Sequence, residues 1–181
     1  MTETLTIQDA MNELKRINAL FAQRGAEISK YASKRKGEAD AISNQKQYLK
    51  EKRQSFEDLM KRYITIKTKI QYSNLTTSIK FGNWDLTVAE ALVYKQTLIT
   101  VDEQFLANYN LNTASNQINE YRRQIGQLNQ PTQEMIEKLN LVPELFYDEI
   151  WLTKRKEDLM DFKANINNYI DKSNHIATIT L

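Results

Sequence analysis

Two long stretches of the sequence place apolar residues at alternating steps of three and four, and this spacing restricts the fold more than any other feature. They cover Ile7–Tyr31 and Ile42–Ile70. Heptad-like spacing of this kind is typical of helices that pack along their length against a partner. It predicts a first helix that ends near a turn at 33–37, with Gly37 as its C-cap, and a second helix over Glu38–Ser73.

The end of the second stretch is ambiguous between helix and strand. Residues 63–70 alternate apolar and polar side chains and are rich in β-branched types, as strands are. The three–four spacing nevertheless continues through them, and only four Gly and two Pro interrupt the whole chain. We therefore predict helix for 63–73.

A short motif occurs twice, once in Leu5–Met11 and again in Leu86–Leu92. Each copy has a Thr three residues before an acid, which is the capping-box spacing that marks the start of a helix. The sequences that follow the two copies differ, so we interpret the pair as two equivalent caps rather than as the sign of a tandem duplication.

Between the two halves, apolar residues alternate around Gly82-Asn83, which predicts a β-hairpin within residues 74–86. The same reading of spacing, capping and turn residues gives the remaining elements. They are a helix from Thr87, a break within Asn108–Asn116, a helix over Ser115–Asn129, a short helix through Met135, Ile136 and Leu139, a last helix from Pro143 to near Asn174, and a small strand in the tail 176–181.

The predicted fold class is all-α: long antiparallel helices, in a helical hairpin or coiled-coil bundle, with a small β-hairpin. We expect one helical domain over 1–181, made of a helical hairpin (1–73), a hairpin insert (74–86) and a second helical half (87–181). Long helices with wide apolar stripes favour assembly into a symmetric homo-oligomer.

Composition argues against most catalytic chemistry. The chain has no Cys and a single His, His175, so thiolate and multi-histidine metal sites are excluded, and its four glycines are too isolated to form a phosphate loop. Carboxylates pair at helical spacing, as solvated helix faces do. We therefore predict a protein that is not an enzyme, with no catalytic residues, no metal and no cofactor.

Charge is unevenly distributed although the net charge is only +2. Residues 1–80 carry 16 Lys/Arg and 9 Asp/Glu, whereas residues 81–181 carry 9 and 14. Solvated helix faces and contact between the two halves explain this difference, and so does a basic surface for an anionic ligand; the excess of positive charge is too small to favour nucleic acid as a partner. No signal peptide is visible and no segment approaches the ~18–20 apolar residues of a membrane span, so we expect a cytoplasmic protein that does not insert into membranes.

Polar residues at three places are candidates for ligand binding. The residues around the hairpin combine hydroxyl, amide, cationic and aromatic groups, a pair of arginines follows a tyrosine on a predicted helix, and the single histidine follows the last helix. Arginine clamps phosphate in a bidentate way and aromatic rings stack on ligand rings, although solvated faces and a capped core explain the same residues. The candidate ligand-binding residues are Asn74, Thr77, Lys80, Trp84, Tyr121, Arg122, Arg123 and His175; the run Lys154–Lys156 has the pattern of a solvated face.

The order of these pieces resembles the septicolysin-like family of small bacterial helical proteins, whose function is poorly defined. Four segments carry the resemblance over about two-thirds of the chain: Leu5–Leu20, Asn74–Thr77, Leu86–Leu92 and Asp158–Leu181. This chain has Ser78 where the family tends to have Arg and His175 where it has Trp. The resemblance implies a helical-hairpin protomer, a ring-like or otherwise symmetric oligomer, and no catalytic residues.

Three functions compete at this point. The first is a non-enzymatic oligomer that sequesters a small anionic, nucleotide-like ligand in pockets between protomers, encoded by a phage or a bacterium. The second is a structural or protein-interaction oligomer without a small ligand. The third, membrane perturbation by pore formation, is what the family label implies; heptad-like seams without broad apolar faces argue against it.

Overall fold

The computed structural model describes residues 2–137 and 142–181 and is mostly helical, with two small antiparallel pairs of strands. This confirms the predicted all-α fold with small β elements. The helices are α1 (Ile7–Tyr31), α2 (Gln45–Thr76), α3 (Val88–Val93), α4 (Ile99–Ala107), α5 (Asn112–Gly126), α6 (Gln133–Glu137) and α7 (Glu149–Ile176), with a π-helix at Tyr94–Leu98. The strands are β1 (Thr4–Thr6), β2 (Ser78–Phe81), β3 (Trp84–Thr87) and β4 (Thr178–Thr180).

The chain forms two compact units. The first comprises Met1–Leu92 and Ile166–Leu181, and the second comprises Val93–Asn165. Each is described by itself below, and the single domain over 1–181 stays a prediction.

Helices α1 and α2 form an antiparallel hairpin in the first unit. The rings of Tyr31 and Tyr48 lie 5.6 Å apart at one end of the pair, and those of Phe21 and Phe56 lie 5.1 Å apart further along. The predicted three–four seam supplies the core of this unit, so the predicted helical packing is confirmed here, including helix rather than strand for 63–73. One cluster of buried core residues in this unit consists of Ile7, Ala10, Leu14, Ile17, Ile66, Ile70 and Ile179.

Both predicted helix starts carry the predicted caps. The Asp9 amide donates to the Thr6 hydroxyl oxygen (3.0 Å), and the Glu90 amide donates to that of Thr87 (3.2 Å). The Glu90 carboxylate accepts the Thr87 backbone N–H at 2.7 Å, which completes a capping box. The hydrogen bonds that the Thr87 backbone N–H and hydroxyl donate to the Glu90 carboxylate hold the pKa of Glu90 below its ordinary value.

The strands form two separate two-stranded sheets. β2 pairs with β3 through the turn at Gly82, whose φ of +52° is the left-handed conformation that glycine adopts without strain. β4, the predicted strand of the tail, pairs with β1, so that Leu5 faces Ile179. β1 was not predicted, and the hairpin is shorter than predicted because α2 continues through Thr76.

The two halves of the chain are repeats of one another. The Ile7 amide donates to the Ala177 carbonyl, and the Val88 amide donates to the Thr77 carbonyl, both at 2.9 Å. The starts of the two copies are 81 residues apart, from Ile7 to Val88. Their ends are 100 residues apart, from Thr77 to Ala177. The identical pairs are Glu57/Glu157, Asp58/Asp158, Leu59/Leu159, Met60/Met160, Ile66/Ile166, Ile70/Ile170, Ser73/Ser173, Asn74/Asn174 and Ile79/Ile179.

The strand pairing also fits the repeat. β1 and β3 begin the two copies, β2 and β4 end them, and the start of each copy pairs with the end of the other. Our interpretation that the two starts do not mark a duplication is therefore wrong. The repeat was hidden because the second copy carries additional residues between its start and its end.

Two predicted boundaries in the first half are wrong. Helix α1 ends with a right-handed residue, Ala32, and Gly37 lies beyond it in a separate turn at φ +89°. Helix α2 begins at Gln45 rather than near Glu38, because Asn44 adopts a left-handed conformation that interrupts the helix. The Gln45 side chain then fixes the connection by donating to the Tyr31 carbonyl at 2.6 Å.

In the second half, α7 begins at Glu149 and not at Pro143. Asp148 provides the start, since its carboxylate accepts the Ile150 N–H at 2.8 Å, a bond that Pro143 has no side chain to make. The predicted break after α4 is confirmed between Ala107 and Asn112. The part of the predicted short helix at Leu139 lies outside the described residues.

Candidate functional site

An open groove of about 410 Å³ lies in the first unit between β2 and the end of α7, and we call it groove I. One wall is formed by the strand and the residue before it, and the other by the last two turns of α7. Groove I is lined by Thr77, Ser78, Ile79, Lys80, Tyr169, Ser173, Ile176 and Ala177. The described lining therefore contains hydroxyl groups, one cation and one aromatic ring, and no carboxylate.

Local folding rules explain the position of each wall. The Ala177 amide donates to the Ser173 carbonyl at 2.8 Å, which ends α7 beside β2. The Tyr169 ring stacks on the buried Phe81 ring, with centroids 4.5 Å apart and planes inclined by 15°. Alternation along β2 then buries Ile79 and Phe81 and leaves Ser78 and Lys80 exposed.

The charge of Lys80 is partly compensated by a neighbour outside the lining. Its Nζ lies 2.8 Å from a carboxylate oxygen of Asp85, directly across the hairpin. This hydrogen bond raises the pKa of Lys80. Both side chains are well exposed, so the pair is weak and an incoming anion can compete for Lys80. A second cation, Lys172, lies 5.3 Å from the centre of the Tyr169 ring.

Of the predicted binding residues around the hairpin, Thr77 and Lys80 line groove I. Asn74 lies half-buried in the last turn of α2, and Trp84 occupies the position opposite Phe81 in the hairpin. His175 is exposed in the last turn of α7. The structure thus brings two of these residues into one groove, and a binding role for all five stays a prediction.

The predicted residues Tyr121, Arg122 and Arg123 lie on α5 in the second unit, not in the lining of groove I. Arg123 forms an ion pair of 2.9 Å with Glu120, one helical turn earlier, and Tyr121 is half-buried. Their geometry is that of a helix face with local pairing, and their role in binding also stays a prediction.

A polar cluster in the second unit was missed by the sequence reading. The Tyr94 hydroxyl and the Arg155 guanidinium both donate to the Asp102 carboxylate, and Arg155 also lies 3.2 Å from the Tyr94 oxygen. Burial first, and the hydrogen bond to Asp102 second, raise the pKa of Tyr94. These hydrogen bonds join α7 to the π-helix and to α4. No sequence signal marks a π-helix, so the cluster could not be anticipated.

The lining residues Tyr169 and Ser173 of groove I were also missed. A signal for them exists, because Ser173-Asn174 repeats Ser73-Asn74 at the spacing of 100 that relates the two helix ends. Recognition of that repeat would have directed attention to both helix ends together.

Two searches over the described residues bear on other functions. Within 2–137 and 142–181, no group of three or more His, Cys, Asp or Glu side chains converges in a way that would hold a metal ion. None of the helices in these ranges combines the length and the apolar composition needed to cross a lipid bilayer.

Comparisons with known proteins support the fold and leave the function open. No protein-family model matches the chain, and no curated protein matches it. The fold is similar to the crystal structure of a functionally unknown conserved protein from Corynebacterium diphtheriae, with 11% identity and a TM-score of 0.52 over 98% of this chain and 99% of that one. At this identity the similarity concerns the fold alone, and the septicolysin-like resemblance stays a prediction.

Proposed function

We propose that the protein is a non-enzymatic binding protein that holds a small anionic ligand with an aromatic ring, such as a nucleotide, in groove I. We further propose that it acts as a symmetric homo-oligomer in the cytoplasm, encoded by a phage or a bacterium. The single observation that carries the proposal is the lining of groove I, where Lys80, the Tyr169 ring and several hydroxyls meet without a carboxylate.

The chemistry of the two walls suits the two parts of such a ligand. Lysine and hydroxyl groups donate hydrogen bonds to phosphate oxygens, and a charge-assisted bond contributes about 1.5–3 kcal/mol. Phe81 stacks on the half-buried Tyr169 ring, and Tyr169 supplies the aromatic surface of the lining for a ligand ring.

The end of α7 makes Lys80 decisive. The carbonyl groups at a helix C-terminus carry partial negative charge, which opposes an anion by about 0.3–1 kcal/mol. The Ser173 and Ala177 carbonyls are already hydrogen-bonded, to the Ala177 and Ile7 amides, which lessens this opposition. The main attraction that remains must come from the cation, so removal of Lys80 should weaken anion binding strongly.

Titration calorimetry tests the proposal with a panel of AMP, ADP, cyclic di-AMP and the uncharged nucleoside adenosine. We expect at least one phosphate-bearing compound to bind, adenosine to bind more weakly, and Lys80→Ala to weaken binding at groove I at least tenfold. Lys15→Ala is the matched control, because Lys15 is exposed on α1 away from the groove. Binding of no phosphate compound, or equal effects of the two substitutions, would overturn the proposal.

A second candidate function is protein interaction without a small ligand. One face of α2 exposes large apolar side chains within a stripe about 120° wide: Met60, Ile64, Tyr72 and Leu75. Exposed apolar side chains on one face of a surface helix are typical of an interaction site, for which a second copy of the chain is the simplest occupant.

Native mass spectrometry separates the two candidates in one measurement. A homo-oligomer that carries a bound small molecule supports the binding function, whereas an oligomer without any bound molecule, unresponsive to the panel, supports pure interaction. Ile64→Glu would place a charge in the stripe, and dissociation by this variant but not by Lys15→Glu, at an exposed position of α1, would assign the contact to that stripe.

A further inference from the structure

A second groove, which we call groove II, lies in the first unit between the end of α2 and β4. Its volume is about 380 Å³. The polar residues of its lining are Lys69, Tyr72, Ser73, Thr76, Thr77, Thr178 and Thr180, and Thr77 and Ala177 line groove I as well. None of the described residues in its lining is a carboxylate, as in groove I.

Groove II is the counterpart of groove I under the internal repeat. Moving 100 residues along the chain converts the end of α2 into the end of α7, and β2 into β4, so the walls exchange places. Ser73 corresponds to Ser173 and Ser78 to Thr178. Each groove therefore has one wall from a helix end and one from a strand of the other half of the repeat.

A lysine and a tyrosine stand one helical turn apart on the helix beside each groove, in opposite order. In groove II, Lys69 and Tyr72 both line the helix wall. In groove I, Tyr169 lines the wall, and Lys172 lies outside the lining, 5.3 Å from the centre of that ring. Side chains three residues apart lie on the same helix face, so groove II holds a cation and a ring on its helix wall, whereas groove I takes its cation, Lys80, from the strand.

The grooves differ in how their lysines are compensated. Lys80 of groove I forms an ion pair with Asp85, whereas Lys69 has no ion-pair partner in the part of the chain that the structure describes. An anion entering groove II displaces no carboxylate. The competition that Asp85 imposes at groove I is therefore absent at groove II.

We propose that groove II is a second site for the same class of ligand, a phosphate-bearing compound with an aromatic ring, and that it is the tighter of the two. This inference rests on the proposed function of groove I. It assigns Lys69 to the phosphate, Tyr72 to the ring, and the Thr178 and Thr180 hydroxyls to further hydrogen bonds. Each chain then binds two ligands with unequal affinity.

Titration calorimetry of the full chain with ADP, cyclic di-AMP and inorganic pyrophosphate tests this inference. We expect two sites per chain in the wild type, with loss of the tighter one in Lys69→Ala and of the weaker one in Lys80→Ala. Lys67→Ala is the control, because Lys67 is an exposed lysine of α2 outside the lining. Asp85→Asn should tighten the weaker site about tenfold and bring the two affinities together.

The outcomes distinguish this inference from the function on which it rests. One site per chain that Lys80→Ala removes and Lys69→Ala leaves intact would overturn groove II and leave groove I standing. Absence of binding by all three probes would overturn both. Circular dichroism of each variant checks folding, and Tyr72→Phe provides a second variant that keeps the ring and should retain two sites.

Discussion

We call the helices that follow each repeated cap an arm: α1 and α2 form the first arm, and the helices of the second unit form the second. The two arms are held together by different kinds of contact at matching or neighbouring positions. In the first unit, Glu13 pairs with Arg62 at 3.0 Å, while the residues at the corresponding places in the second unit, Tyr94 and Phe162, pack as rings 4.8 Å apart. Further along, the rings of Phe21 and Phe56 meet in the first arm, whereas the second has the ion pair between Asp102 and Arg155, at neighbouring rather than equivalent positions. The repeat therefore fixes where the helices meet and leaves the kind of contact free to change.

The largest expected effect comes from Phe162→Ala, since this ring is fully buried. Removing a buried aromatic side chain costs about 3–5 kcal/mol of unfolding free energy. Its counterpart Arg62→Ala should cost much less, because the Arg62 side chain is 38% exposed. Urea denaturation measures both, with the exposed Met160→Ala as control. Equal losses for Phe162→Ala and Arg62→Ala would contradict the contrast between the arms.

Asp102→Ala should rank second. It removes the acceptor shared by Tyr94 and Arg155 and leaves a half-buried guanidinium without its carboxylate, which costs about 1–3 kcal/mol. Glu157→Ala, an exposed acid on α7, serves as the control and should change stability by less than ~0.5 kcal/mol. If both variants melt at the same temperature, the cluster does not stabilise the second unit.

The pH dependence of stability should separate the arms further. The hydrogen bonds from Arg16 and Arg62 outweigh burial and lower the pKa of Glu13 from 4.5 to about 2. Because the folded pKa lies below the unfolded one, this stabilisation is present above pH 4.5 and disappears as the pH falls towards 2.

The shift of the Glu13 pKa corresponds to about 1–3 kcal/mol of unfolding free energy. Glu13→Gln should lose this part of the acid sensitivity, whereas Glu51→Gln, on the exposed side of α2, should retain it. Denaturation curves at pH 6 and pH 3 measure the difference. A Glu13→Gln variant as acid-sensitive as the wild type would contradict the assignment.

The two caps should give the smallest and most similar effects. Thr6→Ala and Thr87→Ala each remove the acceptor of one helix N-terminal N–H, which costs about 1 kcal/mol. The serine variants at the same positions keep the hydroxyl and should lose only a fraction of this. Thermal unfolding of the four variants checks the prediction; costs that differ by more than ~1 kcal/mol would show that the caps are not equivalent.

Local signals predicted much of the fold. The caps at Thr6 and Thr87, the α1–α2 packing and the turn at Gly82 each depend on residues close in sequence, and all are present. Boundaries failed where a non-local contact decides them: Gln45 starts α2 while bonded to the carbonyl of Tyr31, and the sequence contains no record of that contact.

The π-helix explains why the repeat was hard to see. Ile17 of α1 is fully buried, yet the residue 81 positions later, Leu98, is exposed and the next one, Ile99, is buried. A π-helix accommodates one additional residue, so the apolar pattern of the second copy slips by one after Tyr94–Leu98. In groove I, Lys80 was predicted from its charge near a turn. Tyr169 lies far along the chain from Lys80 and reaches the groove only through the fold, so local spacing could not identify it.

The pairing of β1 with β4 also has a consequence for synthesis on the ribosome. β2 and β3 are neighbours in the chain and can pair as soon as both have emerged, whereas Thr4 meets Thr180 only after nearly all residues have been translated. Closing so long a loop is slow and depends on contacts made beforehand. Until β4 has left the ribosome, the β1 edge therefore stays unpaired and the part of the α1–α2 core that Ile179 covers stays open, which exposes the nascent chain to aggregation.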